Sequence, residues 1–459
     1  MPQKKREIKR TRALSFFAGI GGIELGLELA GLGPADRAGW QKLADGGDFA
    51  GAAALARSRS LVRTVGQVEL EPYALRVLAA RWPDIPRLGD ITAVDPAGLP
   101  GADVWCGGFP CQDISTAGKR EGIRGARSGL FFDWMRLVRE VRPATLLMEN
   151  VAALLGRGLD AVMAELNISG YDAEWDCLPA AALGAPHRRD RVFVIARDRR
   201  SRDGTWSLGG RAKPIIKNLA AGLRQWSREP DIPRTIEKDS ILNIEARLER
   251  LGNAVVTQVA EAVGMVLLDP GPWQPGGSPF ATYNSEKDVW LERGGGFFGL
   301  ERMGSWPRSG VMINGRAWAR RPMAPLTRKS SCPTPTGHHA TLKNDRRQRY
   351  MRSMVEIAYH DKFRTPSGWD EANPGGSYIL SRQLLWPTPR AMDGKIGRQW
   401  RTESNMDNAA FSVMLTSEAC RREADAGGGI PDKLLNPAWV EWLMGFPAGW
   451  TEVPDGDDV

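Results

Sequence analysis

Apolar positions between residues 13 and about 197 fall into two alternating kinds of segment. Short continuous runs at Ala13–Ala18, Val65–Leu70, Val104–Cys106, Thr145–Met148 and Val192–Ala196 read as buried strands. Between them, Ile23–Ala30, Tyr73–Trp82, Phe131–Val141 and Leu159–Ile168 carry helical spacing. Such alternation predicts an α/β fold: a mixed, mostly parallel sheet with helices on both faces. Residues 34–64 interrupt the rhythm. They are rich in Ala and Arg and predict a surface insertion containing a helix. Residues 198–239 are polar, basic and turn-rich, and helical spacing returns at Ile244–Leu267. From Asp269 onward Gly, Pro and Trp dominate, with many turn signals. The expected division is a basic tail over 1–12, a catalytic domain over 13–268 and an irregular α+β module over 269–459.

Composition narrows the class. With 42% hydrophobic and 25% charged residues the chain has the balance of a globular protein. No uninterrupted apolar run is long enough to cross a bilayer, so no membrane partner is expected. The basic N-terminus has no apolar stretch behind it and does not read as a secretory signal. The five cysteines, Cys106, Cys111, Cys177, Cys332 and Cys420, are scattered without metal-ligand spacing. A reducing, cytoplasmic setting and no metal are the expectations. The net charge of +8 suits a polyanionic partner, nucleic acid first.

Four short motifs carry chemistry. Phe17-Ala18-Gly19-Ile20-Gly21-Gly22 lies between a strand and a helix, where glycines let the backbone approach a ligand. Alone it is equally a structural turn. Glu69 ends the next strand and can hold ribose hydroxyls. Asp90 is placed at the end of another expected strand and can hold an adenine amino group. In order on successive turns, the three suggest a nucleoside cofactor. Gly107-Gly108-Phe109-Pro110-Cys111-Gln112 follows a strand and places Cys111 in the crevice where open α/β sheets bind ligands. Its thiolate is a strong carbon nucleophile. Cys106 lacks this context and reads as core. Met148-Glu149-Asn150-Val151 puts a carboxyl at a strand end, where burial can raise its pKa. His187-Arg188-Arg189-Asp190-Arg191 precedes a strand, and alternation would give His187, Arg189 and Arg191 one face.

In this order the motifs resemble the cytosine-C5 DNA methyltransferases of bacteria and phage, joined by Arg250-Leu-Gly-Asn-Ala-Val-Val256. The resemblance covers about 13–197 and 240–265. It implies a Rossmann-like domain that binds S-adenosylmethionine and acts on a cytosine flipped out of double-stranded DNA. Cys111 would attack the ring, while Glu149, Arg189 and Arg191 hold the base. Phe17, Gly19, Ile20, Gly21, Glu69, Leu70, Asp90, Ile91, Gly108, Pro110, Leu130, Asn253 and Val255 would form the cofactor side. A monomer is expected, with a cognate restriction endonuclease as a possible functional partner. An RNA (tRNA) cytosine methyltransferase and a catalytically silent DNA-binding homologue are the alternatives.

The chain departs from the family pattern in places. Ser15 stands where many members carry an acid, His187 replaces Gln, and Ala254 replaces Ser. Only about 50 residues separate Arg197 from Arg247, too few for a recognition domain, whereas about 190 follow the Gly-Asn motif. Near their end, Leu435–Pro447 resembles a family motif that normally precedes the Gly-Asn motif. The expectation is that target recognition has moved into 269–459, with a packing helix near 435–450. Trp306-Pro-Arg-Ser-Gly310 and Arg346–Arg349 are candidate DNA contacts.

Overall fold

A computed structural model describes residues 10–110, 129–201, 205–206, 212–222, 226, 228–237, 240–269, 271–272, 276–293, 300–302, 306–324 and 433–454. Cys111, Arg346–Arg349, Cys332 and Cys420 lie outside the described residues.

Along the chain run β1 (Thr11–Phe16), α1 (Gly22–Ala30), α2 (Pro34–Asp45), α3 (Phe49–Arg59), β2 (Val62–Val68), α4 (Pro72–Arg81), β3 (Val104–Gly108), α5 (Leu130–Val141) and β4 (Thr145–Val151). Then follow α6 (Leu154–Arg157), α7 (Leu159–Ile168), β5 (Tyr171–Leu178), β6 (Arg191–Asp198), β7 (Thr205–Trp206), α8 (Ala212–Gly222), β8 (Thr235–Glu237), α9 (Ile244–Asn253) and α10 (Thr257–Leu268). Beyond these lie β9 (Gly271–Pro272), β10 (Ala281–Asn284), β11 (Val289–Arg293), β12 (Leu300–Arg302), β13 (Ser309–Ile313), β14 (Arg316–Ala319), β15 (Lys433–Leu435) and α11 (Pro437–Leu443).

Eleven strands form one sheet, in the order β12-β11-β10-β14-β13-β5-β6-β4-β3-β1-β2. The class is α/β with a mixed sheet. β2, β1, β3 and β4 are mutually parallel. β6 runs against β4, β5 against β6, and β13 against β5. The sheet is therefore continuous across residue 269. β8 pairs with β15, and β7 with β9, as separate ribbons.

Strand alternation supplies two cores, one per face. Leu14, Phe16, Trp105, Leu146 and Met148 pack with α5 and α7. Ala13, Cys106 and Leu147 pack on the other side with α1, α9, α10 and α11. In α5, Phe131, Trp134, Met135, Leu137 and Val138 are buried, a stripe at helical spacing. α4 starts with Pro72 and a Glu71 carboxylate that accepts from the Ala74 amide, and α11 repeats the device with Pro437 and Asn436.

Four details differ from the sequence expectation. Residues 34–64 hold two helices rather than one, bury Trp40, Ala44, Ala52 and Ala56, and end inside β2. Asp90 does not end a strand: Pro83, Pro86 and Gly89 (φ 70°) break the backbone, leaving one isolated bridge from Gln67 to Arg87. Ile244–Leu267 is two helices, because extended Ala254 separates α9 from α10. Residues 244–268 are apolar enough by composition to span a membrane, yet they are mostly buried in the molecule. Trp306 is no groove contact. It is 5% exposed and stacks edge-on with Trp175, Phe280 and Trp290.

Candidate active site

In the order β2-β1-β3-β4 the chain leaves β1 toward one neighbour and returns through the other, so a crevice opens beyond the carboxyl ends of β1 and β3. The loop after β1 lines it. Phe17, Gly19 and Gly21 have φ of 54°, 55° and 81°. For Phe17 this left-handed geometry costs about 1–2 kcal/mol, so surrounding contacts must hold it. The Gly19 amide donates to Glu69 Oε2 at 2.7 Å, and Glu69 Oε1 accepts from the Leu70 and Glu71 amides at 2.9 Å each. A side chain at Gly19 would point into open space, whereas one at Gly21 would strike the Trp82 ring at 2.2 Å. The loop thus has an open front beside Glu69 and a packed back.

Other expected cofactor-side residues take distinct positions. Leu70 is 63% exposed beside Glu69. Asp90 Oδ1 accepts from the Thr92 amide, and Ile91 is buried next to it. Phe17 meets Trp134 of α5 edge-on at 6.0 Å, and Leu130 is half-buried at the start of that helix. Ile20 is buried and its side chain joins the core. Val255 supports the loop from behind, since a Cβ on Gly22 would lie 2.9 Å from Val255 Cγ1. Asn253 is exposed at the end of α9.

Two strands away, β4 places Glu149 beside Gly108 of β3. A Cβ at Gly108 would come within 2.8 Å of Glu149 Oε2, so glycine leaves room for the carboxyl. Glu149 Oε1 lies 2.9 Å from Arg191 Nε, and both side chains are at most 15% exposed. Burial raises the Glu149 pKa, and the nearby Arg191 and Arg189 charges oppose that rise. Sequence reasoning did not assign Asn150. Its Nδ2 donates to the Phe109 carbonyl at 3.2 Å, fixing the Gly108-Phe109-Pro110 stem that leads to Cys111. An amide beside the catalytic-type carboxyl at a strand end was the available signal.

His187, Arg189 and Arg191 do not share one strand face. β6 begins only at Arg191, and φ of 33° at Arg189 breaks the alternation. Arg189 donates to the Gly252 and Ala254 carbonyls and braces the corner between α9 and α10. His187 is fully buried, 2.9 Å from the Leu443 carbonyl, and burial pushes its pKa down to about 3. It is therefore neutral and donates through Nε2–H. Cys106 is buried and its pKa is pushed up by burial, as suits a core thiol.

The returning segment 433–454 is part of this core. Leu435, Trp439, Val440, Leu443, Met444, Phe446 and Trp450 pack with Ile20, Ile23 and Leu251. Arg247 meets Glu441 at 3.2 Å, both almost fully buried, while Thr257 and Gln258 donate to the Gly445 carbonyl. The apolar run in Leu435–Trp450 announced a packing segment but not its seat.

Residues 11–218 match the model of the C-5 cytosine-specific DNA methylases. That stretch holds Glu69, Cys111, Glu149 and Arg191 in the order found here. Among curated relatives, the Type II methyltransferase M1.ScrFI of Lactococcus lactis subsp. cremoris is 29% identical over 204 residues, 44% of this chain and 45% of that protein. M.HhaI of Haemophilus parahaemolyticus is 31% identical over 196 residues, 42% of this chain and 50% of its own. M.NlaX of Neisseria lactamica is 32% identical over 188 residues, 40% and 51%. The chain spans about half the length of the curated relatives it matches. A solved S. pombe Dnmt2 methyltransferase aligns with a TM-score of 0.36 and 19% identity, over 51% of this chain and 66% of that one. At that score the superposition carries no argument. The matched region ends short of β10–β14, which complete the sheet, and of 433–454, which completes the core.

Proposed function

We propose that the protein transfers a methyl group from S-adenosylmethionine to C5 of a cytosine flipped out of double-stranded DNA. The carrying observation is the buried Glu149–Arg191 pair at the crevice edge, tied through Asn150 to the stem that leads to Cys111. The crevice residues fit the cofactor: the open front of the loop at Gly19 lies beside a Glu69 carboxylate with acceptor capacity left after its three amide bonds. Glu69 would take ribose hydroxyls, and the free oxygen of Asp90 the adenine amine. Phe17, Leu70, Ile91 and Leu130 would give apolar contact. When bound, the cofactor would supply an electrophilic methyl group on a sulfonium.

The chain's residues do the rest. The Cys111 thiolate adds to C6 and makes C5 enamine-like. Glu149, whose proton burial holds more tightly than an exposed glutamate's, donates to N3 in its protonated form, and its other oxygen accepts from the exocyclic amine. Arg191 fixes Glu149 and reaches O2, while Arg189 adds positive potential as it braces the α9–α10 corner. Once C5 carries the methyl, a base removes the C5 proton, the C5–C6 double bond re-forms and Cys111 departs as thiolate. Target reading is assigned to the chain after 269, outside the methylase region, with 433–454 bracing it against the catalytic core. A monomeric cytoplasmic enzyme of the restriction-modification kind is the setting proposed, by likeness to relatives named Type II methyltransferases.

Labelled methyl transfer tests this. Duplex DNA should gain 5-methylcytosine, and Cys111→Ser should abolish transfer while cofactor binding persists. Transfer to tRNA alone would establish the RNA reading. Cofactor or DNA binding without transfer would establish a silent homologue.

A further inference from the structure

The loop after β1 presents two backbone groups that a side chain must hold. The Gly19 amide is met by Glu69, 50 residues on. The Ile20 carbonyl is met by Trp450, whose indole Nε1 donates to it at 2.9 Å across 430 residues. Trp450 is 3% exposed. Its ring packs edge-on against Trp82 at 5.6 Å and Phe49 at 5.8 Å, and lies tilted against Phe446 at 5.7 Å. Arg81 fixes the Trp450 backbone by donating to its carbonyl from Nε and Nη2, and its guanidinium lies 5.4 Å from the ring. Trp82 in turn fills the space where a Gly21 side chain would be.

These contacts lie on the packed back of the loop, opposite the open front at Gly19. The loop also carries three left-handed residues, one of them Phe17, so its shape depends on what grips it. We infer that Trp450 is a positioning residue for the cofactor: its indole N–H on the Ile20 carbonyl holds the β1–α1 loop in the shape that receives an adenosyl sulfonium ligand. The inference rests on the proposed methyltransferase reading for the ligand's identity.

Trp450→Phe keeps an aromatic ring between Trp82, Phe49 and Phe446 but removes the donor. Trp439→Phe is the matched control. It removes a donor of the same kind from the same returning segment, but that donor goes to Glu229 Oε1 at 2.9 Å rather than to the loop backbone. Titration calorimetry with S-adenosylmethionine on the full-length protein should show about 5–10-fold weaker binding for Trp450→Phe, the effect of one hydrogen bond. Trp439→Phe should bind as wild type does. In steady state, Trp450→Phe should raise the cofactor KM by the same factor and leave kcat at saturation nearly unchanged. Unaltered cofactor affinity in Trp450→Phe would overturn the inference, as would equal weakening in both variants, which would mark a general stability effect. Wild-type protein that does not bind the cofactor at all would instead overturn the functional reading. In that case faster amide exchange at Gly21 and Gly22 in Trp450→Phe alone still reads the grip on the loop, and unchanged exchange refutes it.

Discussion

At the residue scale, buried carboxyls carry the most consequence. Glu149 binds its proton more tightly than an exposed glutamate because burial outweighs the arginine charges beside it. The proposed donation to N3 needs the protonated carboxyl, so it is present below that raised pKa and lost as pH rises through it. The kcat profile should therefore fall on its alkaline side, and Glu149→Gln should remove that limb while lowering kcat by about 10²–10⁴. A pH series on both enzymes checks this.

Glu24 offers a second test, independent of catalysis. It is fully buried in the first turn of α1, beside Ser15, and burial raises its pKa from 4.5 to about 7. The folded state holds the proton more tightly than the unfolded chain does. Its contribution is complete below about 4.5 and fades as pH rises to about 7, a loss of about 3 kcal/mol. Denaturant unfolding at pH 5 and pH 8 should show that slope in the wild type and a flatter one in Glu24→Gln. Equal slopes would place the titration elsewhere.

At the scale of elements, most of the parallel half of the sheet was legible from the sequence. β1, β3 and β4, and the antiparallel β6 beside them, are short apolar runs bounded by turns, and a run of that kind buried on two faces leaves little else to form. β5 escaped notice because Asp172, Glu174 and Asp176 interrupt its apolar residues. In the structure Ala173, Trp175 and Cys177 face one core, while Glu174 and Asp176 meet Arg320 and Ser309, which arrive on a later strand and its flank. Partners so distant leave no local mark. His187 shows the same limit. Alternation predicts one face for it with Arg189 and Arg191, and it is instead a buried donor to the Leu443 carbonyl. His187→Gln should be tolerated because a donor remains. His187→Phe should cost about 1–3 kcal/mol by leaving that carbonyl unpaired. Thermal unfolding of the pair checks the difference.

At the scale of the whole molecule, the chain closes on itself twice. β13 extends the sheet from β5, and residues 433–454 return to pack behind the β1–α1 loop. The sequence marked Cys111, Glu149 and Arg191 through their strand-end motifs. It could not show that the last described residues help build the core of the first, because that contact depends on tertiary packing alone. Trp439, Val440, Leu443, Met444, Phe446 and Trp450 are all buried there. At about 1.5–3 kcal/mol for each side chain, their loss is comparable with the entire stability of a typical domain. A chain ending at Ala324 should therefore lose cooperative unfolding by circular dichroism. A cooperative, cofactor-binding truncation would show that 433–454 is dispensable to the catalytic core.

The central claim is that Cys111 forms the bond to the target base. Duplex DNA carrying 5-fluorocytosine tests it most directly, because fluorine at C5 blocks the final loss of a proton and leaves the adduct intact. With S-adenosylmethionine present, digestion and mass spectrometry should find the modified base on the peptide containing Cys111, and none in Cys111→Ser. An adduct on another residue, or active enzyme that forms no adduct, would contradict it.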